Sequence, residues 1–284
     1  MSLFEQIQQT TTRAKELGAL LSLTTAQEIV VDQDIPFVVR ILAKLEKKET
    51  YQKKQVKKKV NPFLPYEKDL FVADLSAHHV CLLNKFNVVD HHILIITRDF
   101  QSQEHWITQP DFEALATCMG ELDGLAFYNA GKAAGASQPH KHLQLIPFSG
   151  ALNQFSVPIE TAIAALDFPE SQPTSLNIFP FHHGIAPIPT NYDGQTLFEI
   201  YKSLLEYLNF IDQPLAPGQQ TQPYNLLATR RWMMLIHRTQ DCYQQISINS
   251  LGFAGALLVR DRHQLEFLKK ITPIQLLAQV TQPQ

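Results

Sequence analysis

One segment constrains this chain more than any other: Gly135-Ala136-Ser137-Gln138-Pro139-His140-Lys141-His142-Leu143-Gln144-Leu145. A loop of small residues runs into a stretch whose polar side chains recur at every second position. Successive side chains of a β-strand point to opposite faces, so His140, His142 and Gln144 share one face and Lys141, Leu143 and Leu145 take the other. Leu143, Leu145 and Ile146 predict that the reverse face is buried, and a polar row on a strand anchored in this way lines a cleft. A His-x-His pair says little by itself in a chain with 11 histidines among 284 residues. The in-phase glutamine, the Gly/Ser loop and Asn129, which ends the apolar run Leu125-Ala126-Phe127-Tyr128, add the information. Together they favour a nucleotide or phosphate site.

An imidazole with a reference pKa of about 6.5 is mostly neutral, hence nucleophilic, at neutral pH. Its attack on phosphorus would give a phosphoramidate and divide one displacement into two easier ones. Charge on the phosphoryl oxygens then needs preorganised donors. Backbone N–H groups of the Gly135 to Gln138 loop can supply them, because glycine tolerates the dihedrals of a phosphate nest. Gln144 can hydrogen-bond a phosphoryl oxygen but cannot act as an acid or base, which favours transfer over hydrolysis. Two same-face imidazoles could alternatively bind a metal, but a third ligand must then arrive from elsewhere. No Asp or Glu follows His142 until Glu160, and Cys81, Cys118 and Cys242 are isolated, so no structural zinc is expected.

The order of elements reads as α+β, with antiparallel sheets and packed helices. His78 to Phe86 and His91 to Thr97 predict a hairpin turning at Asn87 to Asp90. A helix is expected after Thr108, where Pro110 and Asp111 suit the first turn and Phe112, Leu115, Met119 and Leu122 recur at helical spacing. The Leu125 to Asn129 strand, the loop and the motif strand follow. From about Ser149 to Thr174 the chain is irregular and carries Pro158, Pro169 and Pro173, which places a boundary between a catalytic lobe (1–155) and a second lobe (170–284). The earlier order then recurs. There is an apolar run from Leu176 to Ile188, a helical pattern through Leu197, Ile200, Leu204, Leu208 and Ile211, and paired runs Tyr224 to Thr229 and Arg231 to Arg238. Tyr224-Asn225 repeats Tyr128-Asn129, which suggests a degenerate duplication. Trp232-Met233-Met234-Leu235-Ile236 replaces the polar motif, so the second copy is expected to be a scaffold.

Composition sets outer limits. At 45% hydrophobic residues the chain can bury a substantial core. It has no apolar span of membrane length and no hydrophobic leader, and its three cysteines are unpaired, so a cytoplasmic protein is expected. The net charge of −3 hides an uneven distribution. Eight of the 24 basic residues lie between Lys44 and Lys59, against Glu46 and Glu49 alone, so this arm attracts anions. Nucleic acid is not the expected partner, because the remainder is acidic and only Tyr51 interrupts the arm with an aromatic.

Tyr128-Asn129, Gly135 to Gln138 and His140 to Gln144 resemble the signature of the ATP adenylyltransferases, also called diadenosine tetraphosphate phosphorylases. These belong to the histidine-triad superfamily, on the branch with glutamine as its third member, shared with hexose-1-phosphate uridylyltransferases. Asn61-Pro62-Phe63-Leu64-Pro65, Leu82-Leu83-Asn84-Lys85-Phe86 and Ile248 to Gly255 extend the likeness from about Pro62 to Arg260. The resemblance implies a histidine-triad-like fold in two fused, pseudo-duplicated lobes. It also implies phosphorolysis of diadenosine tetraphosphate to ATP and ADP, reversibly, through an adenylyl-histidine. His142 would be the nucleophile and His140 would orient the site beside Gln144. Substrate-binding residues carried over are Lys48 (or Lys47) of the arm, Asn84, Lys85, Asn129, Gly135, Ala136, Ser137, Gln138, Asn249, Ser250, Leu251, Ala256 and Arg260. Mg²⁺ riding with the polyphosphate would need no dedicated cage. A uridylyltransferase is the close alternative, although the Cys-x-x-Cys pair that often holds zinc there is absent. A non-catalytic dinucleotide binder is the other.

Overall fold

Runs of Val, Ile, Leu and aromatic residues bounded by turn formers become strands in a computed structural model that describes residues 1–42, 61–148, 157–166, 168, 172–211 and 222–284. The basic arm, including Lys47 and Lys48, and much of the boundary segment lie outside the described residues. A helix, Leu3–Glu16, is followed by strands β1 (Thr25–Asp32) and β2 (Ile35–Leu42). Next come β3 (Phe71–Asp74), β4 (His79–Leu83), β5 (Ile93–Thr97), the helix Gln109–Glu121, β6 (Gly124–Asn129) and β7 (His142–Pro147). The second half supplies β8 (His183–Pro187), the helix Gly194–Tyr207, β9 (Tyr224–Ala228) and β10 (Trp232–His237). A small pair, β11 (Cys242–Tyr243) and β12 (Ile246–Ser247), precedes the helix Ser250–Phe253, β13 (Ala256–Val259) and the helices Arg262–Ile271 and Pro273–Ala278.

Local signals account for the main boundaries. Thr108 caps Gln109–Glu121 through a reciprocal bond with Asp111, with Pro110 in the first turn, and the predicted hairpin is β4 paired antiparallel with β5. Of the apolar run from Leu176 to Ile188, only His183 to Pro187 forms a strand.

One antiparallel sheet of eight strands, in the order β3-β4-β5-β7-β6-β9-β10-β8, runs through both halves. The halves are joined where β6 pairs with β9, from Ala126↔Ala228 to Asn129↔Asn225. Each half contributes the same unit, strand-helix-strand-strand, with its last strand lying between the other two: β7 between β5 and β6, β10 between β8 and β9. A separate three-stranded sheet, β1-β2-β13, includes one parallel pair, β2 with β13.

Strand alternation divides the core. Leu143 and Leu145 of β7, with Met233 and Leu235 of β10, pack under Phe112, Leu115, Leu197, Tyr201 and Leu204 of the helices. Ile146, Phe127, Trp232, Met234 and Ile236 face the other way, toward β2, β13 and the C-terminal helices. Ile146 therefore shares the face of Gln144 rather than the reverse face expected from the sequence, because a two-residue step returns to the same side. A smaller apolar patch, Phe63, Val80, Leu82, Leu94 and Ile96, covers the start of the sheet. The polar row His142 and Gln144 is the seam between these two patches.

Candidate active site

Behind the motif strand a buried charge network fixes its position. Lys141 is fully buried on the helix side, where its Nζ donates to Asp111 Oδ2 at 2.9 Å and to the Trp106 carbonyl at 2.8 Å. His79 Nε2 donates to Asp111 Oδ1 at 2.8 Å, and Thr108 donates to Oδ2 from both its backbone and its hydroxyl. Burial works to raise the Asp111 pKa, yet the His79 hydrogen bond and the Lys141 charge outweigh it and bring it down to about 2. With Lys141 anchored, its neighbours His140 and His142 must turn to the opposite side.

There both imidazoles pack edgewise or tilted on Phe63, with ring centroids 5.5 and 5.4 Å away. His140 is saturated: Asn61 Nδ2 donates to its Nδ1 at 2.9 Å, and its Nε2–H donates to the Thr97 carbonyl at 2.9 Å. It reaches His142 through its own carbonyl, which accepts the His142 Nδ1–H at 2.8 Å. A carbonyl accepts only from an N–H, so the proton of His142 sits on Nδ1 and the lone pair on Nε2. That Nε2 has no hydrogen-bond partner among the described residues, although only 5% of the residue is exposed. Burial pushes the His142 pKa down to about 4, against the His140 carbonyl, which raises it.

Gln144 is held through a chain that starts at the β4–β5 hairpin. Asn84 Oδ1 accepts the Phe86 N–H, so its amide nitrogen faces His92 Nδ1 at 3.2 Å. His92 then donates from Nε2 to Gln144 Oε1 at 3.0 Å, which leaves the Gln144 NH₂ as the free end. Asn84 thus meets the site through His92. Lys85 is ion-paired with Glu67 at 2.6 Å.

The loop offers fewer donors than its sequence suggests. Gly135 N–H and Ala136 N–H are consumed inside it, on the carbonyls of Lys132 and Gly131. Ser137 N–H and Gln138 N–H have no acceptor among the described residues, so the nest narrows to those two. Gly135 adopts φ +89°, and a Cβ there would stand 2.5 Å from the Ile248 carbonyl, so the second half presses directly against the loop. Asn249 abuts it and caps its own short helix through Leu251 N–H, while Ser250 donates from N and Oγ to Asn129 Oδ1 at 2.9 and 2.8 Å. Asn225 Nδ2 reaches the same oxygen at 2.9 Å. Buried Arg238 ties these pieces together by donating to Ala134, Ile248 and Asn225.

Ala256 and Arg260 belong to β13 and the turn that follows it. Ala256 pairs with Val38 in the three-stranded sheet, and Arg260 is exposed beyond the end of β13, where its N–H bonds Gln264. Three residues that the sequence reading did not single out for the site complete it: Gln103, His92 and Arg238. Gln103 sits in an irregular segment without periodicity, and the others carry their meaning only through partners distant in sequence. Among the described residues no three His, Cys, Asp or Glu side chains converge as metal ligands, and no helix is long and apolar enough to cross a membrane.

Residues 1–165 match the Ap4A phosphorylase N-terminal domain. Residues 177–283 match the ATP adenylyltransferase C-terminal domain. The chain belongs to the Ap4A phosphorylase family. Diadenosine tetraphosphate phosphorylase 2 of Saccharomyces cerevisiae is 29% identical over 235 residues, which span 73% of this chain and 71% of that protein. The crystal structure of yeast Ap4A phosphorylase Apa2 is similar with a TM-score of 0.80 and 26% identity, covering 100% of this chain and 96% of that one. Its complex with Ap4A gives 0.81 and 25%, over 100% and 99%. In this Ap4A phosphorylase family chain the N-terminal match carries β7 and the glycine loop, and the C-terminal match carries Arg238 and Ser250, which brace that loop.

Proposed function

We propose that this chain is a nucleotidyltransferase that converts diadenosine tetraphosphate and inorganic phosphate to ATP and ADP, with His142 as nucleophile. The observation that carries the reading is the buried His142 imidazole, its tautomer set by a main-chain carbonyl and its Nε2 without a hydrogen-bond partner among the described residues. The Nε2 lone pair attacks an α-phosphorus; the bond to the α,β-bridging oxygen breaks, and its electrons leave with ATP. Phosphate then attacks the same phosphorus, the N–P bond breaks, and ADP departs. Ser137 N–H, Gln138 N–H and the Gln144 amide supply the donors for the phosphoryl oxygens.

Burial gives the intermediate its character. The adenylated ring is cationic, and the Nδ1–H bond to His140 O strengthens as that charge develops. The same dry surroundings that depress the pKa keep this cation high in free energy, so the adenylyl group passes on readily in either direction. Mg²⁺ enters only as a companion of the polyphosphate, and no step runs through it. A reducing cytoplasm suits the free thiols Cys81, Cys118 and Cys242, and cell fractionation checks that placement.

The test is incubation with diadenosine tetraphosphate with and without phosphate, followed by chromatography. Phosphate-dependent ATP and ADP support the proposal; ATP with AMP identifies a hydrolase, and unchanged dinucleotide identifies a binder. His142→Asn abolishes turnover, and retained turnover removes His142 from its role.

A further inference from the structure

We infer that Gln103 is a positioning residue of this transfer reaction: its carboxamide spans an opening between β6 and β7 and sets where the His142 imidazole stands. The inference rests on the function proposed above and adds a residue to it.

The β6–β7 ladder runs from Gly124↔Pro147 to Phe127↔Gln144 and stops there. Continued by two positions, past Tyr128 and Leu143, it would set Asn129 opposite His142, but the Gln103 carboxamide bridges them instead. His142 N–H donates to Gln103 Oε1 at 2.8 Å, and Gln103 Nε2–H donates to the Asn129 carbonyl at 2.8 Å. A single carboxamide thus replaces a direct rung and holds the strands apart at the residue that must face substrate. The Gln103 backbone closes the neck of the loop as well. Its N–H bonds Pro139 O at 2.8 Å, its carbonyl accepts Gly131 N–H at 3.1 Å, and Tyr128 Oη donates to that carbonyl at 2.7 Å. Both ends of the loop and both strands beside it therefore refer to one residue, itself only 1% exposed.

The chemistry of the position is narrow. It requires an acceptor facing His142 N–H and a donor facing Asn129 O, at fixed separation and out of water. A carboxamide supplies both. A thioether of similar length supplies neither and orphans two buried backbone groups. An ionised carboxylate turns an oxygen toward the Asn129 carbonyl, whereas the protonated acid restores one acceptor and one donor. Small displacements of a reacting group are costly, on the order of a hundredfold for about 1 Å.

The experiment measures adenylyl-enzyme formation in single turnovers with diadenosine tetraphosphate and no phosphate, by intact mass, together with dinucleotide affinity and thermal stability. Gln103→Met is expected to slow formation roughly a hundredfold at every pH, with affinity held within about threefold. Gln103→Glu is expected to approach the wild-type rate in acid and to lose it as pH rises, through one ionisation that the wild type lacks. Buried packing alone would lower stability without creating that ionisation. If Gln103→Met does not fold, the pH profile of Gln103→Glu decides. Folded variants that react at the wild-type rate across the pH range overturn the role of Gln103 and leave the enzyme assignment standing. A wild type that forms no adenylyl-enzyme overturns both.

Discussion

At the scale of single residues, a nucleophilic histidine must be deprotonated at one nitrogen and held still by the other. His142 meets both demands through its depressed pKa and the His140 carbonyl. The rate of adenylyl-enzyme formation should therefore be flat above about pH 5.5 and fall as the pH approaches about 4, where the ring takes up its proton. Rapid-quench measurements check this; a loss beginning near pH 6.5, the ordinary histidine value, would mean that the ring is hydrated. The alternation of His140, His142 and Gln144 was legible because a two-residue period is a property of the strand itself. What each ring touches was not. His140 spends both nitrogens on Asn61 and Thr97, and Gln144 is oriented by His92, 52 positions away. No local pattern contains such partners. The glycine loop shows the reverse limit, since its residue types announced a nest but not that Gly135 and Ala136 had already used their N–H groups.

Among elements, the motif strand depends on what lies behind it. Removing the Lys141 charge leaves Asp111 ionised and dry, so Lys141→Met should cost about 3 to 5 kcal/mol. Urea denaturation followed by tryptophan fluorescence measures this, and a cost under about 1 kcal/mol, typical of an exposed pair, would contradict the network. The β4–β5 hairpin and the helix after Thr108 were readable because caps, turn residues and apolar spacing agreed. The β1–β2 hairpin gave a weaker signal. Thr25-Ala26-Gln27-Glu28 is mostly polar, and the turn uses Gln33 and Asp34 at positive φ without a glycine. Ala256 and Arg260 show how a motif continuous in sequence is divided among elements. Ser250 bonds Asn129 beside the motif strand, whereas β13 joins β2 in another sheet.

For the molecule as a whole, burial of neutral histidines makes stability depend on acid. His142, His183 and His237 each have a folded pKa lowered to about 4 by burial, below their ordinary value. The unfolded chain then binds protons that the native state refuses, so their contribution is fully present above about pH 6.5 and is lost as the pH falls toward about 4. Asp111, held near 2, continues the loss below its ordinary range. Denaturation midpoints at stepped pH test the sign, and an acid-side rise in stability would contradict it. The repeat of strand-helix-strand-strand was visible in element order, whereas the pairing of β6 with β9, which makes one sheet of both copies, was not, because no sequence period specifies an edge. At that junction the copies are no longer equals. Asn225 is paired with Ile236, while the register of β6 and β7 extended by two positions sets Asn129 opposite His142, so the row across the junction carries an imidazole at one end and an aliphatic group at the other. With His142 as the proposed nucleophile and no second imidazole in that row, a saturating charge of labelled dinucleotide is expected to load each polypeptide with one nucleotide; a count of two would contradict it.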